Sequence, residues 1–179
     1  MIACGSCPVS RPIGTPNVIG LTSETNPSVG AAESPLELIS FEIADQEFCI
    51  DIRSVREIRG WTPATPIPQT ADYVQGVINL RGAVIPVLDL RSRLGLGQTE
   101  PSSRHVIVVI QHENQVAGLL VDGVQETFQV DASQLQPPPP MGSIATGQFV
   151  DAVLPIEGRM LSRLVVGSLL PAEEDRAAA

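Results

Sequence analysis

A sharp turn between two apolar segments constrains this chain more than any other feature of its sequence. Residues 77–78 precede the turn, and the apolar run 84–90 follows it. β-Branched and aliphatic residues on both sides favour strands, and Gly82 can take the positive φ that a tight hairpin turn needs. Arg81 is therefore expected on a constrained corner between two strands, with Asn79 beside it. A cation held on a stiff turn is typical of a surface that a partner recognises.

The composition of the chain divides it into three parts. Residues 1–35 carry five prolines among many Ser, Thr and Gly without a sustained period, so we expect a disordered leader there. Residues 36–171 alternate between short apolar segments and turn residues, and they form the folded domain. Residues 172–179 are an acidic, alanine-rich tail.

About nine short segments of the folded domain have the composition of strands. The first two form a hairpin within residues 36–52, with a turn at 44–47 and one slip in the apolar alternation before it. The proline-rich connection 61–69 excludes a regular central strand. The runs 105–110 and 115–122 are apolar without interruption, which is typical of strands buried on both faces. Short strands at turn-rich spacing predict an all-β barrel or sandwich.

Composition also narrows the classes of function. Apolar residues make up 43% of the chain but aromatic residues only 3%, which suits packed strands better than an aromatic-lined ligand pocket. The formal net charge of −9 disfavours binding to nucleic acid or anionic membranes. All eleven basic residues are arginine, which excludes a Walker-type phosphate loop and a Schiff base. No segment is apolar over the length that spans a bilayer, so we expect a cytoplasmic protein.

Cysteine and histidine do not form the pattern of a metal or catalytic site. Cys4 and Cys7 have the spacing of half a zinc site, but no second pair follows, and Cys49 is interpreted as a small core residue. His105 and His112 lie at opposite ends of one strand, about 20 Å apart if it is extended. We therefore expect no cofactor, no metal ion and no catalysis.

Four motifs resemble the successive signatures of one protein family. They are Val55-Arg-Glu-Ile-Arg-Gly60, Gly76-Val-Ile-Asn-Leu-Arg-Gly82, Val84-Ile-Pro-Val-Leu-Asp-Leu90 and Val121-Asp-Gly-Val124. In order and approximate spacing they resemble the CheW-like chemotaxis adaptors, over roughly residues 36–170. Four motifs together are far more specific than any single motif of this length.

The resemblance implies a fold and a function. The fold would be all-β, with two packed SH3-like five-stranded β-barrels and short helical turns. The function would be that of a cytoplasmic adaptor at receptor arrays under the inner membrane, coupling methyl-accepting chemoreceptors to a CheA-type histidine kinase. The expected partners are the regulatory domain of that kinase and the cytoplasmic tip of the receptors.

The resemblance also assigns residues to two docking surfaces. The expected kinase-binding residues are Val55, Glu57, Gly76 and His105. The expected receptor-binding residues are Ile52, Arg81, Val106 and Ile107. His105 stands where the family often has a small polar residue.

Each of these assignments has a structural alternative. Arg81 would otherwise be a solvated arginine on a turn, and strand 55–58, which leaves Val55 and Ile58 available for contact, would be an ordinary edge. Gly76 would only provide the backbone conformation that a turn requires, and residues 106–107 would pack into the core on the buried face of their strand.

Two other functions remain open from the sequence. The same fold serves CheW-like adaptors of non-flagellar chemosensory pathways, whose output is surface motility or a second messenger. An enzyme or a ligand-binding barrel would instead require a pocket with converging polar groups.

Overall fold

A computed structural model describes residues 35–139 and 147–171, and this part of the chain is mostly β-structure. Its ten strands are β1 (Leu36–Ile43), β2 (Gln46–Asp51), β3 (Val55–Gly60), β4 (Val74–Leu80), β5 (Ala83–Asp89), β6 (Val106–His112), β7 (Gln115–Val121), β8 (Gly123–Val130), β9 (Val150–Ile156) and β10 (Arg159–Leu164). Two short helices, α1 (Leu90–Arg93) and α2 (Val166–Leu169), and two 3-10 turns, Ile52–Ser54 and Ala132–Gln134, complete the elements. The predicted leader with Cys4 and Cys7, up to residue 34, and the predicted tail lie outside the described residues.

The strands form two five-stranded sheets with the same arrangement. The first has the order β8-β1-β2-β10-β9 and the second β3-β6-β7-β5-β4. In each sheet two hairpins are joined by one parallel pair, β2 with β10 or β5 with β7. The segment after the remaining edge strand then bridges to the opposite edge, where Gln136 pairs with Val153 and Thr65 pairs with Val77. These bridges close each sheet into a small barrel, and the predicted fold of two such barrels is confirmed.

Three groups of buried apolar side chains stabilise the two barrels. The interior of the first barrel holds Leu38, Cys49, Val130, Leu154 and Leu161. The interior of the second barrel holds Ile78, Ile85, Val87, Ile107, Val109 and Leu120. The largest group lies between the barrels, where one face of β1 and β2 packs against one face of β6 and β7. The barrels therefore share a core.

Strand β6 shows why its sequence is apolar without interruption. Ile107 and Val109 belong to the interior of the second barrel, whereas Val108 and Ile110 belong to the core between the barrels. Successive side chains of a strand point to opposite faces, so both faces of β6 are buried. This confirms the prediction made from the apolar run.

A bulge explains the slip in the apolar alternation of β1. The register of β1 against β8 shifts between Ile39 and Phe41. Ser40, at the bulge, is buried. Its hydroxyl donates to the carbonyl oxygen of Glu126 at 3.1 Å and accepts from the N–H of Glu126 at 3.2 Å. The serine thereby satisfies backbone groups that the bulge removes from the ladder.

The first hairpin turns more tightly than predicted. Only Ala44 and Asp45 lie between β1 and β2, rather than residues 44–47. Both have positive φ, at 51° and 63°, which is the turn geometry that matches the twist of paired strands. The sequence did not indicate this two-residue turn, because neither residue is glycine.

Candidate functional site

The β4–β5 hairpin presents Arg81 at its tip. Arg81 and Gly82 form the turn, with φ of 50° and 88°. The side-chain oxygen of Asn79 accepts a hydrogen bond from the Gly82 N–H at 3.0 Å, which stiffens the turn. The Arg81 side chain is 85% exposed. The prediction of an arginine on a constrained corner between two strands is confirmed.

Glu57 on β3 lies directly against Arg81. Arg81 Nη2 is 3.0 Å from Glu57 Oε2, and the glutamate side chain is 26% exposed. The contact joins two of the sequence motifs and connects an edge strand to the hairpin tip. An ion pair with an exposed partner contributes only about 0–1 kcal/mol to stability. Stability therefore explains little of this arrangement, and the pair is a candidate for recognition.

An apolar groove of about 360 Å³ opens beside this ion pair. It is lined by Arg56, Glu57, Leu80, Arg81, Ala83, Ile85, Val109 and Val116, and we call it the ion-pair groove. Its floor is aliphatic and its rim is charged. Buried apolar anchors surrounded by a polar rim are the usual anatomy of a protein–protein interface.

A second candidate surface lies where β3 approaches the first barrel. Ile58 pairs with Val108 across the strands and is 47% exposed. Val106 lies diagonally across from Ile58, on the same face, and is partly buried against the core between the barrels. Val55, at the start of β3, packs on that core too, and Ile52 is half-buried in the preceding 3-10 turn. We call Ile52, Val55, Ile58 and Val106 the junction strip.

Gly76 is buried, and its role is steric. Its φ is +139°, and a Cβ added there would lie 2.2 Å from the carbonyl oxygen of Thr65. That oxygen accepts the hydrogen bond of Val77 N–H at 2.9 Å in the bridge that closes the second barrel. Any effect of Gly76 on a partner therefore passes through the backbone rather than through a direct contact.

Ile107 requires a correction to the expected receptor surface. Its side chain is fully buried in the second barrel, which is the structural alternative that the sequence left open. Only its neighbour Val106 reaches the surface in part. We therefore leave Ile107 out of the docking surfaces.

His105 precedes β6 and is mostly buried. Its Nδ1 lies 3.0 Å from the backbone nitrogen of Ser102, and its Nε2 lies 3.3 Å from Asp122 Oδ1. With the side chain 15% exposed, both ring nitrogens face groups of this chain rather than solvent.

The structure regroups the predicted residues. Glu57 and Arg81, expected on different surfaces, touch each other, whereas His105 and Gly76 are held inside the fold. Ile58 and Val84, which is 67% exposed, are surface residues that the sequence did not assign to a partner. The sequence indicated that Ile58 is available for contact together with Val55, and the register shift between Val55 and Glu57 places the two side chains on one face.

Cys49 is fully buried, which confirms its interpretation as a core residue. Burial raises the pKa of its thiol to about 12, against the lowering effect of nearby Arg163. Within residues 35–139 and 147–171, no group of three His, Cys, Asp or Glu side chains is arranged to hold a metal ion. In the same part of the chain, none of the helices has the length and apolar character needed to cross a membrane.

Comparison with known proteins identifies similar sequences and structures. Residues 37–174 match the family model described as the CheW-like domain. The chain is 49% identical over 154 residues to chemotaxis protein CheW of Rhizobium meliloti, covering 86% of this chain and 99% of that protein. It is 32% identical over 138 residues to chemotaxis protein CheW of Klebsiella aerogenes, covering 77% and 83%. The crystal structure of the scaffolding protein TtCheW from Thermoanaerobacter tengcongensis superposes with a TM-score of 0.71 at 33% identity, covering 78% of this chain and 94% of that one.

Proposed function

This chain belongs to the CheW-like family, and from that premise we propose that it couples chemoreceptors to a CheA-type histidine kinase by holding each on a separate surface of its second barrel. It is a chemotaxis adaptor, and its work is positioning rather than bond-making. In the detailed proposal, the regulatory domain of the kinase binds the ion-pair groove and the cytoplasmic tip of the receptor binds the junction strip. This work takes place in the cytoplasm, at receptor arrays under the inner membrane.

The assignment of the kinase-binding surface is supported by the Glu57–Arg81 contact at the rim of an apolar groove. The aliphatic side chains of the groove that reach the surface, Leu80, Ala83 and Val116, supply area to bury. The charges orient the partner and reject mismatched ones. Arg81 moves from the expected receptor surface to this one because it is paired with Glu57. Val55 moves in the opposite direction, from the expected kinase surface to the junction strip, because it packs on the core between the barrels.

The junction strip supports the receptor surface. Ile58 is a large apolar side chain left 47% exposed beside the half-buried Val106. An apolar strip of this kind suits the apolar face of a partner segment. Two surfaces on different faces of β3 allow one adaptor to hold both partners at once. Interfaces near or below about 1,200 Å² are expected to bind weakly, in the micromolar range, so that the assembly can respond.

A charge-reversal series tests the ion-pair groove. Glu57→Arg and Arg81→Glu are each expected to weaken binding of the kinase regulatory domain by about tenfold or more, the equivalent of ~1.4 kcal/mol for an interface anchor. The double variant restores the pair within the adaptor but reverses its direction. It is therefore expected to regain stability without regaining full affinity. Isothermal titration calorimetry with the purified regulatory domain measures the affinity of all three variants.

An ion pair on the first barrel provides the matched control. Arg163 Nε donates to Asp151 Oδ1 at 2.8 Å, and both side chains are partly exposed. Arg163→Glu makes the same charge change as Arg81→Glu and is expected to leave kinase affinity within about twofold. Unchanged kinase binding by both Glu57→Arg and Arg81→Glu would reject the ion-pair groove as the kinase surface.

The receptor surface is tested by its most exposed apolar residue. Ile58→Ser is expected to weaken receptor binding by about tenfold while kinase binding stays unchanged. Co-sedimentation with receptor-containing membranes measures the first and calorimetry the second. Loss of kinase binding alone in Ile58→Ser would reverse the assignment of the two surfaces.

A CheW-like adaptor of a non-flagellar pathway would use the same fold and the same kind of surfaces. The relatives described above carry the name chemotaxis protein CheW, and this favours chemotaxis as the output.

A further inference from the structure

A polar contact lies at the place where the two barrels meet. His105 Nε2 is 3.3 Å from Asp122 Oδ1. On the other side of the ring, the Ser102 N–H donates to Nδ1 at 3.0 Å, and the Ser102 hydroxyl lies 2.9 Å from the same nitrogen. The backbone oxygen of His105 also accepts from the Trp61 N–H at 3.0 Å, at the end of β3.

The contact with Ser102 fixes the tautomer of the ring. A backbone N–H can only donate, so Nδ1 must be an unprotonated acceptor. The proton of the neutral imidazole is then on Nε2. This proton faces the carboxylate of Asp122.

Asp122 extends the contact into the first barrel. Its Oδ2 accepts a hydrogen bond from the Ala44 N–H at 2.8 Å, and its own N–H donates to the carbonyl oxygen of Glu42 at 3.1 Å. Ala44 is the first residue of the β1–β2 turn and has positive φ. One carboxylate therefore links the histidine of the second barrel to the end of a hairpin in the first.

The apolar core holds the barrels together by close packing but has no bonding direction of its own at any one point. Hydrogen-bonded groups have preferred directions and distances. From these contacts we propose that His105 is a positioning residue. Acting through Asp122, it fixes the start of β6 against the β1–β2 hairpin of the first barrel. Its backbone oxygen also holds the end of β3, the strand that carries residues of both docking surfaces, and in this way the contact sets how strongly the two surfaces are coupled. This inference rests on the proposed function, since coupling requires an adaptor that holds both partners.

Two substitutions of His105 distinguish the contacts on the two sides of its imidazole ring. His105→Asn keeps an acceptor near the position of Nδ1, within reach of Ser102, but it is too short to reach Asp122. His105→Gln extends an amide toward Asp122 and so preserves that contact in part. His112, exposed at the other end of β6 and the only other histidine, provides the control variant His112→Gln.

Nitrogen-15 NMR of the imidazole rings tests the contact itself. We expect His105 to show one tautomer, with the proton on Nε2, and His112→Gln identifies its signals by removing the others. A proton on Nδ1, or rapid averaging of both tautomers, would overturn the inference.

Reconstitution with receptor membranes and kinase tests the consequence. For both His105 variants we expect affinities for each partner alone to stay within about twofold of the unchanged chain. Receptor control of kinase activity should fall on the order of fivefold in His105→Asn, the low end of measured coupling between sites. The fall should be smaller in His105→Gln and absent in His112→Gln.

The outcomes separate this inference from the proposed function. Full receptor control in His105→Asn would overturn the positioning role, and so would a matching loss of kinase affinity, because that would make His105 a direct contact. If the unchanged chain does not bridge receptor and kinase, the proposed function fails. The NMR result would in that case still decide whether the His105–Asp122 contact exists.

Discussion

Arg81 holds a backbone conformation that is costly for its residue type. Left-handed φ costs an L-residue roughly 1–2 kcal/mol, yet Arg81 adopts φ of 50° at a hairpin tip where glycine would be relaxed. The ion pair with Glu57 offsets little of this cost, because Arg81 is 85% exposed. Positive φ also occurs at the tips of other hairpins, at Ala44, Glu113 and Glu157, so this conformation belongs to the hairpin turn. The case for Arg81 in recognition therefore rests on its exposure and on its contact with Glu57 at the rim of the ion-pair groove.

Because the thiol of Cys49 is buried, we expect the free energy of unfolding to fall in alkaline solution. The pKa of its thiol is about 12 in the folded chain, against 9.0 as the ordinary value. Below pH 9 the thiol is protonated in both states and has no effect. As the pH rises from 9 toward 12, the unfolded chain loses this proton first, so the free energy of unfolding falls by about 1.4 kcal/mol per pH unit. Urea unfolding at pH 8, 9.5 and 10.5 measures the slope.

Cys49→Ala isolates the contribution of the thiol from that of other groups that titrate in the same range. The variant is expected to be less stable at pH 8, because a buried side chain is shortened. It should lack the extra alkaline slope. Equal slopes for the two proteins between pH 9 and 10.5 would contradict a buried, protonated thiol.

Single residues were predictable from sequence where local chemistry decides their position. The Arg81 turn follows from glycine and flanking strands, and the burial of Cys49 follows from its apolar neighbours. The Glu57–Arg81 contact was not predictable, because it depends on how an edge strand approaches a hairpin formed later in the chain. The burial of Ile107 agrees with the uninterrupted apolar run 105–110, which predicts a strand buried on both faces, and the receptor role assigned to it came from the family resemblance alone.

At the scale of elements, the barrels are closed by short bridges rather than by paired strands. The Thr65–Val77 bridge brings the connection after β3 against β4, and Gly76 permits it by having no side chain. Close approach of two backbones is a position where only glycine fits. The proline-rich connection 61–69 thereby acts as part of the barrel wall.

Gly76→Ala is expected to destabilise the second barrel strongly. The added methyl group would lie 2.2 Å from Thr65 oxygen, at a φ of +139° that alanine rarely adopts. We expect a loss on the order of 2–4 kcal/mol in the free energy of unfolding. Thermal unfolding followed by circular dichroism measures it.

Gly60→Ala is the matched control for Gly76→Ala. A Cβ at Gly60 would meet nothing within 4 Å, so the change in stability should stay within about 0.5 kcal/mol. A Gly76→Ala protein as stable as Gly60→Ala would show that Gly76 is not needed for closure. A direct role in kinase binding would then become the better explanation of this glycine.

Most strands were predictable, whereas the irregularities that shape the site were not. Apolar alternation and turn residues indicated about nine strands, and ten are present in the described residues. The bulges at Ser40 and between Val55 and Glu57 arise from pairing with distant strands. A bulge changes which side chains share a face without changing the composition of the strand, so strict alternation could not show that Val55 and Ile58 share one face.

At the scale of the whole molecule, the two barrels have the same strand arrangement but different charge. Residues 52–121 carry seven arginines and five acids, whereas residues 36–51 and 122–171 together carry ten acids and two arginines. The first barrel is therefore acidic, whereas the positive and negative charges of the second barrel nearly balance. This makes the charge distribution of the molecule asymmetric. The resulting electric field orients approaching partners more than it adds affinity, and this fits the proposed docking surfaces, which lie mainly on the second barrel.

The core between the barrels predicts that they unfold together. This core is the largest of the three buried groups and takes side chains from both barrels, so losing one barrel would expose apolar surface of the other. Trp61, the only tryptophan, packs against the interior of the second barrel, and Cys49 is buried in the first. In a Cys4→Ser, Cys7→Ser background, Trp61 fluorescence and Cys49 alkylation should give coincident urea midpoints. Alkylation of Cys49 while Trp61 fluorescence is still native would instead show two independent domains, and it would remove the rigid frame on which coupling through His105 depends.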